Sequence, residues 1–224
     1  MSATPLTEAQ ARDEICRVGR SLFERGYVHA SAGNISVRLD DGFLITPTDA
    51  CLGFLQPEQL AKVGPDGVQL SGARASKTLT LHRRIYEAAC ETDAGTRCVI
   101  HTHSTHLVAL SLNAHGPELL APITPYFVMK VGHVPLLRYH RPGSSAAADE
   151  AASTIRAYAA RGTPIRALML PRLGPQVWHE SPAAAMATLE ELEETARLLM
   201  LAPHTPPLRA SDIDELRATF GARW

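Results

Sequence analysis

Three of the ten histidines fall in one short run, His101-Thr102-His103-Ser104-Thr105-His106. The apolar residues before it read as a strand, and side chains at i and i+2 of a strand point to the same face. His101 and His103 are therefore candidate ligands for one divalent metal such as Zn2+. A catalytic zinc site uses three protein ligands, and this motif supplies two. Other segments carry groups suited to an anion. Ala32-Gly33-Asn34-Ile35-Ser36 offers a glycine that lets backbone N–H groups approach a ligand and an amide that can donate. Ile45-Thr46-Pro47-Thr48-Asp49 runs from a strand into hydroxyl-bearing residues, and Gly72-Ala73-Arg74-Ala75-Ser76-Lys77 sets small residues and two cations before a helix. A helix start has free N–H groups and the positive end of a dipole, to which Lys77 adds a full charge. Tyr126 and Lys130, in Thr124-Pro125-Tyr126-Phe127-Val128-Met129-Lys130, could donate protons or bind an anion.

These groups need elements to hold them. Thr7 and Gln10 resemble a capping box, and Ala11, Ile15, Val18 and Leu22 repeat at helical spacing up to Gly26. Residues 35–39 and 43–46 read as a hairpin about the turn Asp40-Asp41-Gly42. A helix over 77–89 follows the loop 70–76, then a strand over 97–103 and a short helix from Ser104. Residues 135–138 read as a strand, 139–145 as a loop, 146–161 as a helix ended by Gly162, and 167–170 with 176–178 as short strands. A helix with proline in its first turn starts at Ser181-Pro182 and runs to about Leu201; a Pro-rich spacer and a short helix from Ser211 finish the chain. This order suits a mixed sheet with helices on both faces.

The 224 residues, 45% hydrophobic and 20% charged, suit one globular domain. With 22 basic against 23 acidic residues there is no global surplus to hold nucleic acid. No apolar run approaches the roughly 20 residues of a membrane span. The first residues have neither a basic start nor an apolar core, so no signal peptide is expected. Cys16, Cys51, Cys90 and Cys98 form no CxxC pair and read as free thiols of a reducing cytoplasm.

Taken in order, Gly33-Asn34-Ile35-Ser36, Ile45-Thr46-Pro47-Thr48, Ser76-Lys77 with His82, and His101-Thr102-His103 resemble the class II aldolase/adducin family over nearly the whole chain. Ala75 to Leu79, His101 to His106 and Thr124 to Gly132 look most similar to its 3-oxo-tetronate 4-phosphate decarboxylase branch. The resemblance implies a three-layer α/β/α sandwich over residues 1–224, with its core at about 5–202 and a C-terminal tail over 203–224. It implies a homotetramer with active sites between subunits, one divalent metal per subunit, normally zinc, and a phosphorylated sugar-acid substrate. Carried over by position, Gly33, Asn34, Thr48, Asp49, Ser76 and Lys77 hold the substrate phosphate, His101 and His103 bind the metal, and Tyr126 is a proton donor. Lys77 and Thr78 fall beside it at catalytic positions. Two positions depart from the family pattern. Leu173 stands where a third metal histidine is usual, and Thr78 where the aldolases carry a catalytic glutamate. A 3-oxo acid loses CO2 without prior deprotonation, so a decarboxylase tolerates Thr78 better than an aldolase does. His106, His133, His140 and His179 are candidate replacements for the missing ligand. The alternatives are an aldolase or epimerase-like enzyme on another phosphorylated sugar, or a metal-poor, non-catalytic paralogue.

Overall fold

The computed structural model describes residues 6–224; residues 1–5 of the expected domain lie outside them. Seven strands form one sheet: β1 Asn34–Leu39, β2 Gly42–Ile45, β3 Ala61–Val63, β4 Gln69–Ser71, β5 Cys98–His101, β6 Ala167–Leu170 and β7 Gly174–His179. Their order is β4-β3-β2-β1-β5-β7-β6 and every ladder is antiparallel. The mixed character is confined to one parallel bridge, Leu136 to Met169, which together with the Glu118–Pro135 bridge is what the expected strand at 135–138 comes to.

The helices are α1 Glu8–Glu24, α2 Leu79–Cys90, α3 Thr105–Ser111, α4 Pro125–Lys130, α5 Ser145–Ala160, α6 Pro182–Leu201 and α7 Ala210–Phe220. The capping box of Thr7 and Gln10 is present and starts α1. Ile35, Val37, Cys98, Ile100, Met169 and Val177 face one side of the sheet, where Ile15, Val18 and Leu22 of α1, Leu107 of α3 and Leu189 and Leu192 of α6 cover them. Val99, Leu168 and Trp178 face the other side, under Ile85 and Ala89 of α2 and Ala151 and Ile155 of α5. Each such fully buried aliphatic side chain contributes about 1.5–3 kcal/mol. The result is the three-layer α/β/α arrangement.

Two ion pairs fix how α2 and α5 lie. Arg84 binds Asp149 at 2.9 Å and Arg156 binds Glu91 at 2.7 Å, each across 65 positions of sequence. Equal separations mean that the helices run parallel and in step, with their N-terminal ends at the same end of the layer. The C-terminal segment is docked: α7 packs on α4, and Trp224 stacks on His133 with ring centres 4.2 Å apart.

Candidate active site

At the N-terminal ends of α2 and α5 a cavity of about 630 Å³ opens over the end of β5. Gly33, Asn34, Thr48, Asp49, Ser76, Lys77, Thr78, His101 and His103 all line it. Hydrogen bonds tie the three segments that the sequence offers for an anion together. The Thr48 N–H donates to the Arg74 carbonyl at 2.9 Å, the Ser76 N–H to that of Thr46 at 3.2 Å, and the Ile35 N–H to the Thr46 hydroxyl at 3.2 Å. Asp49 adopts φ 59°, a left-handed conformation that aspartate tolerates better than most residues. Ser76 Oγ and Thr78 Oγ1 lie 2.8 Å apart, so Thr78 serves this loop through its hydroxyl.

Two glycines press the loops onto the histidine segment. A Cβ on Gly33, at φ 83°, would sit 2.9 Å from the His101 carbonyl oxygen. A Cβ on Gly174, at φ 144°, would sit 1.9 Å from the carbonyl oxygen of Thr102. Gly174 thus lets the β6–β7 turn, with Leu173, close against the residues between the two histidines.

The His101 and His103 rings lie 5.0 Å apart at 67°. His101 Nδ1 is 2.8 Å from the Pro175 carbonyl, which can only accept, so Nδ1 carries the proton and Nε2 keeps a bare lone pair. Burial, and then His103, push the pKa of His101 down to about 4, so the ring stays neutral. Burial, and then His29, lower that of His103. Two neutral imidazoles with open lone pairs fit two positions of a divalent metal. No group of three His, Cys, Asp or Glu that could hold a metal exists among the described residues, and Leu173 offers no donor. Of the candidate replacements, His106 is held by Glu193 at 2.8 Å, His133 by Glu118 at 2.8 Å, and neither they nor His179 line the cavity. His140 does line it, with its Nε2 2.5 Å from a Glu150 oxygen.

Tyr126 is not brought to this site. It lies on α4, 60% exposed, and lines a separate cavity with Lys130, Arg166 and Glu191. Conversely, Gln176 lines the site but belongs to none of the sequence motifs, and His82 enters them only through the resemblance. Asn34, His101 and Gln176 face one another in register across β1, β5 and β7, and so share one face of the sheet. Gln176 is wholly buried, its amide meeting the His82 ring through one atom and leaving the other without a partner, and His82 is held on its other side by Ser36 Oγ at 2.8 Å. Burial, and then His101, push the pKa of His82 down to about 3. The available signal was polarity inside the apolar periods of β7 and α2, which periodicity alone reads as core.

Fold and site together define a class II aldolase-type α/β protein. Residues 13–200 match the family described as Class II Aldolase and Adducin N-terminal domain, and the chain belongs to that family. Among its relatives is a 3-oxo-tetronate 4-phosphate decarboxylase of Cupriavidus necator, 51% identical, with 97% of this chain and 99% of that protein covered. The enzyme of the same name from Escherichia coli is 39% identical, covering 97% and 100%. Among solved structures, YgbL from Klebsiella pneumoniae superposes with a TM-score of 0.82 at 40% identity, covering 95% of this chain and 100% of that one.

Proposed function

We propose that the protein is a carboxy-lyase that decarboxylates a phosphorylated 3-oxo sugar acid, 3-oxo-tetronate 4-phosphate, to CO2 and a triose phosphate such as dihydroxyacetone phosphate. The observation that carries this reading is the joining of three anion-holding segments and a neutral histidine pair in one cavity, in a chain 51% identical to a decarboxylase of that name.

The substrate phosphate is held by the backbone of Gly33 and by Asn34, Thr48, Ser76 and Lys77 at the start of α2, with Asp49 shaping the turn. In the reaction the C1–C2 bond breaks and its electron pair enters the C2–C3 bond. The C3 oxygen takes the charge, CO2 leaves, and C2 receives a proton. His101 and His103 would hold a divalent metal, zinc by the family resemblance; bound there it supplies Lewis-acid stabilisation of charge at the C3 oxygen. Lys77 adds its positive charge at the phosphate end, and Thr78 fixes the Ser76 hydroxyl. The proton donor we assign to Tyr126, which lies away from the histidine cavity of its own chain and would serve that of a neighbouring copy; we therefore propose a homotetramer with sites between subunits. Free cysteines, and no helix long and apolar enough to cross a membrane among the described residues, support a cytoplasmic enzyme.

Aldol cleavage requires a base, and Asp49 is the one carboxylate among the described residues lining the cavity. This favours decarboxylation. The test is product analysis with the 3-oxo acid phosphate. Release of CO2 with stoichiometric triose phosphate, lost in His101→Ala, is the expected result. Aldehyde release from a sugar phosphate without CO2 would support the aldolase reading, and neither activity would support a non-catalytic paralogue.

A further inference from the structure

Binding of one phosphate uses only the α2 side of the cavity. Arg141, Gly143, Ser144 and Ser145 line it too, at the start of α5. Because α2 and α5 run parallel and in step, both helices turn their N-terminal ends to the same space. Neither Thr78 nor Ser144 makes a side-chain capping bond, so N–H groups remain open at both ends. Each end also carries an exposed cation, Lys77 and Arg141, and neither makes an ion pair among the described residues.

A second observation points to a ligand at the α5 side. The Gln176 amide, wholly buried in the cavity wall on β7, meets the His82 ring through one atom and has no partner for the other. Buried amides are almost always paired, and an unpaired one calls for a ligand or water. On the α2 side the buried Asn34 Oδ1 is likewise unpaired. His101 stands between the two in the same row.

We propose that the start of α5, with Arg141 and the Gln176 amide, is a second anion subsite that takes the carboxylate of the substrate. This rests on the reading that the phosphate sits at α2. The spacing suits one molecule bound at both ends. Packed helix axes lie about 8–10 Å apart, and three strands side by side span about 9–10 Å from the first to the third. That is the scale of a four-carbon acid phosphate with its termini engaged. Holding both ends fixes the C1–C2 bond relative to the C3 carbonyl, and the bond must stand perpendicular to the carbonyl plane for its electrons to enter the enolate. Arg141 is exposed and hydrated, so it selects and orients the carboxylate with a screened charge. The nearby wall is apolar, with Ala147, Leu170 and Leu173, and accepts neutral CO2. The subsite thus distinguishes sugar-acid phosphates from neutral sugar phosphates.

The test is calorimetric binding of two matched probes, neither of which can lose CO2. One is erythronate 4-phosphate; the other is erythritol 4-phosphate, which has a hydroxymethyl group in place of the carboxylate. Wild type should prefer the acid by about tenfold or more, the scale of one charge-assisted hydrogen bond. Arg141→Gln should remove most of that preference and leave erythritol 4-phosphate binding unchanged. Ser145→Asp should remove it as well, while an acidic first-turn residue favours the helix and keeps the fold intact. Equal wild-type affinities, or a preference that survives both substitutions, would overturn the subsite. Lys77→Met separates the two readings: it should weaken both probes by the same factor. If it weakens neither, the phosphate assignment fails, whereas the acid preference is still decided by the Arg141 variant.

Discussion

At the scale of single residues, the site is defined by what is charged and what is kept neutral. Lys77 is a cation without an ion pair among the described residues, at the start of α2, where the helix dipole adds to its field. Lys77→Ala should therefore raise KM for the phosphorylated substrate by about tenfold or more while changing that for an unphosphorylated analogue little. Steady-state kinetics on the pair decide it, since equal effects on both would remove Lys77 from phosphate recognition. His101 and His103 are the opposite case, imidazoles held neutral by burial with lone pairs open. Two such donors bind a divalent metal more weakly than the three of an ordinary catalytic zinc site. Leu173 sits on the turn that Gly174 presses against Thr102, so a histidine at 173 starts beside the pair. Leu173→His should tighten Zn2+ binding at least about tenfold in a chelator-competition titration. Unchanged affinity would mean that the third donor comes from another copy of the chain or from the ligand.

At the scale of elements, the site depends on loops pushed to close range. Gly174 has the tighter approach, and an alanine there would drive its Cβ into the Thr102 carbonyl at a φ that L residues rarely adopt. Gly174→Ala should cost about 1–3 kcal/mol or more, a melting temperature lower by roughly 2–10 °C for a chain of this size. Differential scanning calorimetry measures this, and an unchanged transition would mean that the turn relaxes freely away from the histidines. The elements that carry the site could be read from the sequence because each has its own pattern: the capped period of α1, the β1–β2 hairpin about Asp40-Asp41-Gly42, the apolar run of β5. The antiparallel strands β3 and β4 at one end of the sheet could not. They have three residues each, and β4 is exposed throughout, so neither shows an alternating burial pattern long enough to read. The six-residue α4 is likewise too short for a period. The His101–His103 pair and the candidate anion segments are apparent as motifs. The Asn34–His101–Gln176 row is not, because it exists only through pairing between strands far apart in sequence. Tyr126, which the resemblance places at the site, lies away from the cavity of its own chain.

At the scale of the whole molecule, buried histidines couple stability to pH, and two of them, His82 and His179, lie outside the candidate metal pair. Burial holds His82 at about 3 and His179 at about 4, against about 6.5 in an unfolded chain. The unfolded state thus binds more protons below neutrality. The stability from keeping these rings neutral is complete above pH about 6.5 and is lost as pH falls toward 4 and then 3. The melting temperature should fall by at least ~5 °C between pH 7 and pH 4.5, and less in His179→Gln; a flat profile would mean that neither ring is kept from its proton. The last question at this scale is assembly. Tyr126 on α4, Met200 and Leu201 on α6 and Phe220 on α7 are exposed, and α4 packs on both other helices. Exposed apolar groups on helices that pack together suit surfaces covered by another copy. If Tyr126 serves a neighbour's cavity, Tyr126→Phe and His101→Ala oligomers should each be nearly inactive. Oligomers mixed from the two, made by co-expression with different affinity tags, would contain sites with His101 from one subunit and Tyr126 from the next. Those sites should restore a substantial fraction of wild-type CO2 release, while light scattering gives the oligomer mass. Mixed oligomers no more active than their parents would place the proton donor elsewhere in the chain, and a fully active Tyr126→Phe enzyme would remove the tyrosine from the reaction.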